Sequence, residues 1–279
     1  MGTLEARNLT KVFRLRDGGR ARRLTAVDEV SFTLEPGRTI ALVGESGSGK
    51  STVAKMLAKL ETPTRGQVLL DGQKSARRGR GLISYRHEVQ MVFQDPFASL
   101  NQFHTIRHHL ERPLRLHQRA TTRAEVDEHV ERLLERVNLT PALSFADRRP
   151  HELSGGQRQR VAIARALAPG ARFLIADEPV SMLDVSIRLG VLNLLARLQR
   201  EDHLGVLYIT HDLATARHFS DELMVMRYGE IVERGPSDEV ILNPQHDYTK
   251  TLLKAAPEPS RHGRLRDEVR AELAADQAS

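Results

Sequence analysis

Gly44-Glu45-Ser46-Gly47-Ser48-Gly49-Lys50-Ser51 has the spacing GxxxxGK[ST] and stands between the apolar run Thr39 to Val43 and a helical pattern opening at Thr52. A polyphosphate requires such a loop. Backbone N–H groups must converge on its oxygens with no Cβ in the way, and a helix N-terminus adds partial positive charge. Lys50 would reach the β- and γ-phosphates, the Ser51 hydroxyl would ligate Mg²⁺, and Thr52 continues the cradle into the helix. The alternative is a glycine loop that merely turns the chain, which the strand before it and the helix after it argue against.

A second stretch supplies acid chemistry. Phe173-Leu174-Ile175-Ala176-Asp177-Glu178 is an apolar strand ending in two carboxylates, the composition of a buried strand that delivers acids to the carboxyl edge of a sheet. Asp177 is placed to hold Mg²⁺ through water and Glu178 to orient and polarise an attacking water. The less favoured alternative, taking the pair by itself, is a surface acidic cap on the next segment. Leu153-Ser154-Gly155-Gly156-Gln157 opens a further helix, with Ser154 as N-cap and glycines that leave amides open to an anion. In isolation that turn is just as well a cap with no ligand.

These groups need a scaffold, and the periodicity supplies one. Leu4 to Phe13 and Val30 to Leu34 read as short strands, and the run Arg14 to Arg23 between them as a solvated loop rather than a nucleic-acid arm. Further strands fall at Gln67 to Leu70, Val89 to Phe93, Arg172 to Asp177, Gly205 to Thr210, Leu223 to Met226 and Glu230 to Glu233. From about Thr105 to Ala168 the period is helical, with Val126, Val130, Leu133, Leu134 and Val137 on one face. Another helix follows from about Val185 to Arg200, whose Leu192, Leu194, Leu195 and Leu198 read as core. Alternating strands and helices argue for an α/β fold with a mostly parallel sheet and right-handed crossovers.

Composition narrows the class. The chain has 279 residues, 40% hydrophobic, and no cysteine, which suffices for a buried core and excludes disulfides and thiol chemistry. No apolar run approaches the roughly 20 residues of a membrane span, and the first residues lack a signal-peptide pattern, so a cytosolic location is expected. The net charge of +6 is scattered over the length and does not by itself indicate nucleic acid. His104, His108 and His109 lie at one-turn spacing, but no carboxylate at ligand spacing completes a metal site. Arg261 to Ser279 reads as a charged tail with little to bury.

Together the motifs resemble the ATP-binding subunit of an ABC transporter. Walker A corresponds to Gly44 to Ser51, the Q-loop to Gln94, the signature to Leu153 to Gln157, Walker B to Phe173 to Glu178, the D-loop to Ser181-Met182-Leu183-Asp184 and the switch to His211. The resemblance implies a P-loop NTPase fold with a parallel core, a small N-terminal antiparallel β-subdomain and a helical subdomain at about 95–165, the whole cassette spanning 1–256 and the tail 257–279. It implies ATP and Mg²⁺ as cofactors, Ser51, Gln94 and Asp177 around the metal, and Glu178, His211, Gln94 and Lys50 as catalytic groups. Ser154, Gly155, Gly156 and Gln157 would close over nucleotide bound to a second ATPase subunit. An adenine-stacking aromatic corresponds to Phe13, with Tyr85 the other candidate.

A narrower resemblance, to the oligopeptide/dipeptide/nickel importer branch, rests on Val92-Phe93-Gln94-Asp95-Pro96-Phe97-Ala98-Ser99-Leu100-Asn101 and Asn243-Pro244-Gln245-His246-Asp247-Tyr248-Thr249. It implies two membrane permease subunits docked near Pro96 to Leu116, an extracytoplasmic solute-binding protein, no nucleic acid, and a place on the cytoplasmic face of the cell membrane. A soluble ABC ATPase acting on nucleic acid or a cytosolic assembly is the rival reading. Met182, Gln102 and Asp247 depart from the usual residues of the branch, and the cysteine cluster that some members carry is absent.

Overall fold

Thr39–Val43, Phe173–Asp177 and Gly205–Thr210 are buried at every position. Strands without an exposed face must be covered on both sides, and the chain is laid out to do that. The computed structural model describes residues 2–17 and 20–255. It opens with a long antiparallel hairpin, β1 (Leu4–Asp17) and β2 (Arg20–Leu34), followed by β3 (Thr39–Val43), the phosphate-loop helix α1 (Lys50–Leu57), β4 (Arg65–Leu70), β5 (Gln73–Lys74), α2 (Gly79–Glu88) and β6 (Val89–Val92). A helical block comes next: α3 (Pro96–Ser99), α4 (Ile106–Leu116), α5 (Arg123–Arg136), α6 (Ala142–Ala146) and α7 (Gly155–Leu167). The chain then returns to the sheet with β7 (Phe173–Asp177), α8 (Val185–Glu201), β8 (Gly205–Thr210), α9 (Leu213–Phe219), β9 (Glu222–Arg227), β10 (Glu230–Pro236), α10 (Ser237–Leu242) and α11 (Asp247–Ala255).

Two sheets result. One is antiparallel in the order β2-β1-β4-β5; the other runs β10-β9-β3-β8-β7-β6, parallel except for the edge pair β9 and β10. Side chains of a strand alternate between faces, so each parallel strand feeds two cores. Ile40, Leu42, Phe173, Ile175, Leu207 and Ile209 pack with α1 and the antiparallel sheet. Ala41, Val43, Leu174, Ala176, Val206 and Tyr208 pack with α8 and the helical block. Leu192, Leu194, Leu195 and Leu198 lie in this second core, as their spacing suggests.

The helical block holds together through Ile106, Leu110, Leu114, Val126, Val130 and Leu134, all buried. The starts of α4 and α5 are fixed locally. Thr105 Oγ1 accepts the His108 amide, and Thr122 forms a reciprocal capping box with Glu125, whose carboxyl is lowered to about 2 by hydrogen bonds from the Thr121 amide first and the Thr122 amide next.

One expectation needs correction. Arg14 to Arg23 is not a loop inserted between strands: Arg14 pairs with Arg23, Leu15 with Arg22 and Asp17 with Arg20, so the arginines belong to the hairpin itself. The physical signal was available. Phe13-Arg14-Leu15-Arg16 alternates apolar and charged residues with the period of a strand, and Gly18-Gly19, which lies outside the described residues, has the composition of a two-residue hairpin turn. The charged tail beyond Ala255 also lies outside the described residues. Helix α2 has no counterpart in the sequence reading, because Tyr85 alone among its residues is buried and no amphipathic pattern marks it.

Phe173 joins the layers. Its ring lies over Gly205, where a Cβ would stand 2.6 Å from the ring edge. Phe173→Ala should lower stability by about 3–5 kcal/mol, the cost of an aromatic-sized cavity, measured by urea denaturation. A loss under about 1 kcal/mol would contradict this packing.

Candidate functional site

The loop from Gly44 to Gly49 turns directly off β3 into α1, and its glycines are set by crowding from behind. Gly49 has φ 111°, and a Cβ there would stand 2.2 Å from the Ala26 carbonyl oxygen. At Gly44 a Cβ would meet the Met226 carbonyl oxygen at the same distance. No other residue type fits either place. Lys50 is 5% exposed and donates from Nζ to the carbonyls of Gly44 and Glu45, both at 2.8 Å. Burial lowers its pKa, opposed by the carboxylates of Glu178, Asp177 and Glu45.

The acids come from the end of β7, one strand removed from β3 across β8. Ser51 Oγ donates to Asp177 Oδ1 at 3.0 Å, so the last residue of the loop motif and the first carboxylate of β7 face each other. Burial raises the Asp177 carboxyl above its ordinary value, against the Ser51 hydrogen bond. The donors here are a hydroxyl and a carboxylate, the hard oxygen ligands that suit Mg²⁺. Glu178 Oε2 accepts from Gln94 Nε2 at 3.0 Å and lies 3.5 Å from His211 Nδ1. Gln94 follows β6 and His211 follows β8, so three strand ends meet at one carboxylate.

Phe13, Leu24, Ala26, Ser46, Gly47, Gly49, Lys50, Ser51, Thr52, Gln94, Glu178 and His211 line a single cleft of about 670 Å³, within the range of small-ligand sites. Of the two aromatic candidates only Phe13 reaches it. Tyr85 is buried, and its hydroxyl donates to the Leu57 carbonyl at 2.5 Å. Leu24 and Ala26 were not foreseen; they come from β2, and nothing in their local sequence indicates a site.

The turn Ser154 to Gln157 does not line the cleft of its own chain. Ser154 is exposed and caps α7: its Oγ accepts the Gln157 amide at 3.3 Å, while the Gln157 side chain accepts the Ser154 amide at 3.0 Å. A Cβ on Gly156 would stand 2.5 Å from Ile187 Cγ2 on α8. Ser154 is thus exposed at the start of α7, Gly155 and Gln157 are half-buried and Gly156 is buried against α8. Met182 beside it is 54% exposed. His109 is engaged with the Asn101 carbonyl at 3.0 Å and His104 stacks on His108, and among the described residues no His/Cys/Asp/Glu group suited to a metal occurs.

A phosphate loop, a carboxylate pair at another strand end of the same sheet edge and an amide-bearing turn on a separate helical block define an ATP-binding cassette. The profile described as "ABC transporter" matches residues 27–181, and "Oligopeptide/dipeptide transporter, C-terminal region" matches residues 232–278. The oligopeptide transport ATP-binding protein AppF of Bacillus subtilis is 47% identical over 270 residues, covering 95% of this chain and 81% of that protein. The glutathione import ATP-binding protein GsiA of Salmonella typhimurium is 45% identical over 265 residues, 93% of this chain but 42% of that longer protein. A dimeric ATP-binding cassette solved in a post-hydrolysis state with ADP and phosphate superposes with a TM-score of 0.74 at 30% identity, over 84% of this chain and 98% of its own. The chain belongs to the ABC transporter family and is an ATPase of that family. No helix among the described residues is long and apolar enough to cross a membrane.

Removing the Lys50 ammonium should weaken ATP binding about tenfold or more, since a charge-assisted hydrogen bond to phosphate is lost. Equilibrium binding of a fluorescent ATP analogue to Lys50→Ala checks this; unchanged affinity would remove the loop from its role.

Proposed function

We propose that this chain is the ATP-hydrolysing subunit of an importer for peptides or a similar small solute. The observation that carries the chemistry is the Glu178 carboxylate held between Gln94 and His211 beside the phosphate loop. ATP would enter with its adenine against Phe13 and its phosphates on the amides of Gly44 to Thr52. Lys50 would then exchange the carbonyls of Gly44 and Glu45 for the β- and γ-phosphate oxygens. Glu178 would accept a proton from water as that water attacks the γ-phosphorus, with Gln94 and His211 fixing the water in line; the bond from the γ-phosphorus to the bridging oxygen breaks and ADP carries that oxygen away. Ser51, Asp177 and Gln94 would hold Mg²⁺, which when bound neutralises charge on the β- and γ-phosphates.

That Ser154 is exposed and that Ser154-Gly155-Gly156-Gln157 stands apart from the cleft of its own chain supports a two-chain site, in which each subunit would offer its helix amides to the γ-phosphate on the other. The working unit would be a dimer of such subunits, identical or different, with residues 1–256 as cassette, about 95–165 as helical subdomain and 257–279 as tail. The importer reading rests on the C-terminal match and on the transport relatives. Two permease subunits would sit above the groove beside α4, lined by Phe93, His104, His108, Arg112 and Leu116, with Phe103 86% exposed next to it. An extracytoplasmic solute-binding protein would act through those permeases, and the chain itself would lie on the cytoplasmic face of the membrane.

Glu178→Gln should retain ATP affinity, reduce turnover by about 10²-fold or more, the scale of a lost general base, and trap an ATP-dependent dimer on gel filtration. Turnover near wild type would remove Glu178 from the chemistry. For the transport reading, the wild-type chain co-expressed with its permeases in proteoliposomes should hydrolyse ATP faster when substrate-loaded binding protein is added. Salt-sensitive DNA or RNA binding without permease association would instead favour the soluble reading.

A further inference from the structure

The phosphate loop is held from outside by a residue 203 positions away in sequence. The amide of Glu45 donates to the hydroxyl of Tyr248 at 3.1 Å. Tyr248 belongs to α11, within the C-terminal region rather than the nucleotide-binding core, and is 7% exposed. Its own position is over-determined. The Arg227 guanidinium lies 4.6 Å from its ring centroid, His246 Nδ1 accepts its amide at 3.1 Å, and the Glu233 carboxylate accepts the amides of Gln245 at 2.7 Å and His246 at 3.1 Å. One residue beyond Tyr228, Gly229 donates its amide to the Ser48 carbonyl at 3.0 Å, a second hold on the same loop from the same side.

From this arrangement we infer that Tyr248 is a positioning residue for ATP binding: its hydroxyl fixes the entry of the phosphate loop through the Glu45 amide. The physical reasoning is one of pre-organisation. A loop with glycines at 44, 47 and 49 has several accessible conformations, and nucleotide must select the one in which its inner amides converge. An amide at the loop entry that is tied outward, to a ring clamped between Arg227 and the core, removes part of that freedom before ATP arrives. Tyr248 is not among the residues that line the cleft, so its effect should fall on ATP affinity and leave the chemical step alone. The inference rests on the reading of Gly44 to Ser51 as the nucleotide loop.

Tyr248→Phe keeps the ring and its packing and removes the single oxygen. In the full-length chain it should raise KM for ATP about 2- to 10-fold, the range for one lost hydrogen bond, with kcat at saturating ATP within about twofold of wild type by the same reasoning. In the nucleotide-free chain, amide hydrogen exchange at Glu45 should quicken while the amides of α11 keep their protection. Tyr228→Phe, on the exposed side of Arg227, is the control and should change neither quantity. Unchanged Glu45 exchange together with unchanged KM in Tyr248→Phe overturns the inference, as does an equal effect from Tyr228→Phe. If Lys50→Ala binds ATP normally, the reading of the loop itself has failed; the exchange measurement, made without nucleotide, separates the two failures.

Discussion

The whole site depends on parallel strands ending level with one another at one edge of a sheet. Val43 is opposite Thr210, Asp177 is opposite Ile209, and Ala176 is opposite Val92. With that register the phosphate loop, His211, the Asp177-Glu178 pair and Gln94 leave the sheet side by side. A slip of one residue in β7 would move Asp177 away from Ser51 and exchange the faces of Phe173 and Leu174, putting each into the wrong core. The chemistry and the packing are thus set by the same hydrogen-bond ladder, and neither can be altered alone.

Glu178 shows what that edge demands locally. It is a non-glycine residue with φ 46°, held there by its amide donating to the Ile209 carbonyl at 2.9 Å. The conformation costs on the order of 1 kcal/mol or more. Pro179, which follows it, disfavours the right-handed helical alternative. The outcome is a carboxylate turned from the line of β7 toward Gln94 and His211, while Asp177, one residue earlier, stays in line with Ser51. Two adjacent acids acquire different partners because the backbone bends between them.

Much of this was legible in the sequence, for identifiable reasons. The glycine loop, the acid-ended strand and the capped turn are local patterns whose physics is complete within about ten residues, and the buried strands announce themselves by short, nearly continuous apolar runs. What stayed hidden is non-local or contradicts a local cue. In the arginine run charge and glycine outweigh the alternation as local cues, although backbone pairing in a hairpin is indifferent to side-chain charge. The Tyr248 contact spans most of the chain and has no signal at either end. Tyr85 and Phe13 look alike as aromatic candidates, and only the tertiary structure separates a ring in the core from one at the cleft.

The turn at Ser154 is not an independent appendage, and this bears on how two cassettes could influence each other. Ser181 Oγ donates to the Glu178 carbonyl at 3.0 Å, so the Ser181 to Asp184 segment begins attached to the residue that bridges Gln94 and His211. Two residues on, Leu183 is buried, with its Cδ2 at 3.4 Å from where a Gly155 Cβ would stand, and Ile187 leaves no room for a Cβ on Gly156. Glycine at 156 lets α7 seat closely on the Ile187 side chain at the start of α8, with Leu183 packed against Gly155. The residue that bridges Gln94 and His211 is thus connected to the start of α7 through the Ser181 to Asp184 segment and the side chains of Leu183 and Ile187, a physical route for coupling between two such cassettes.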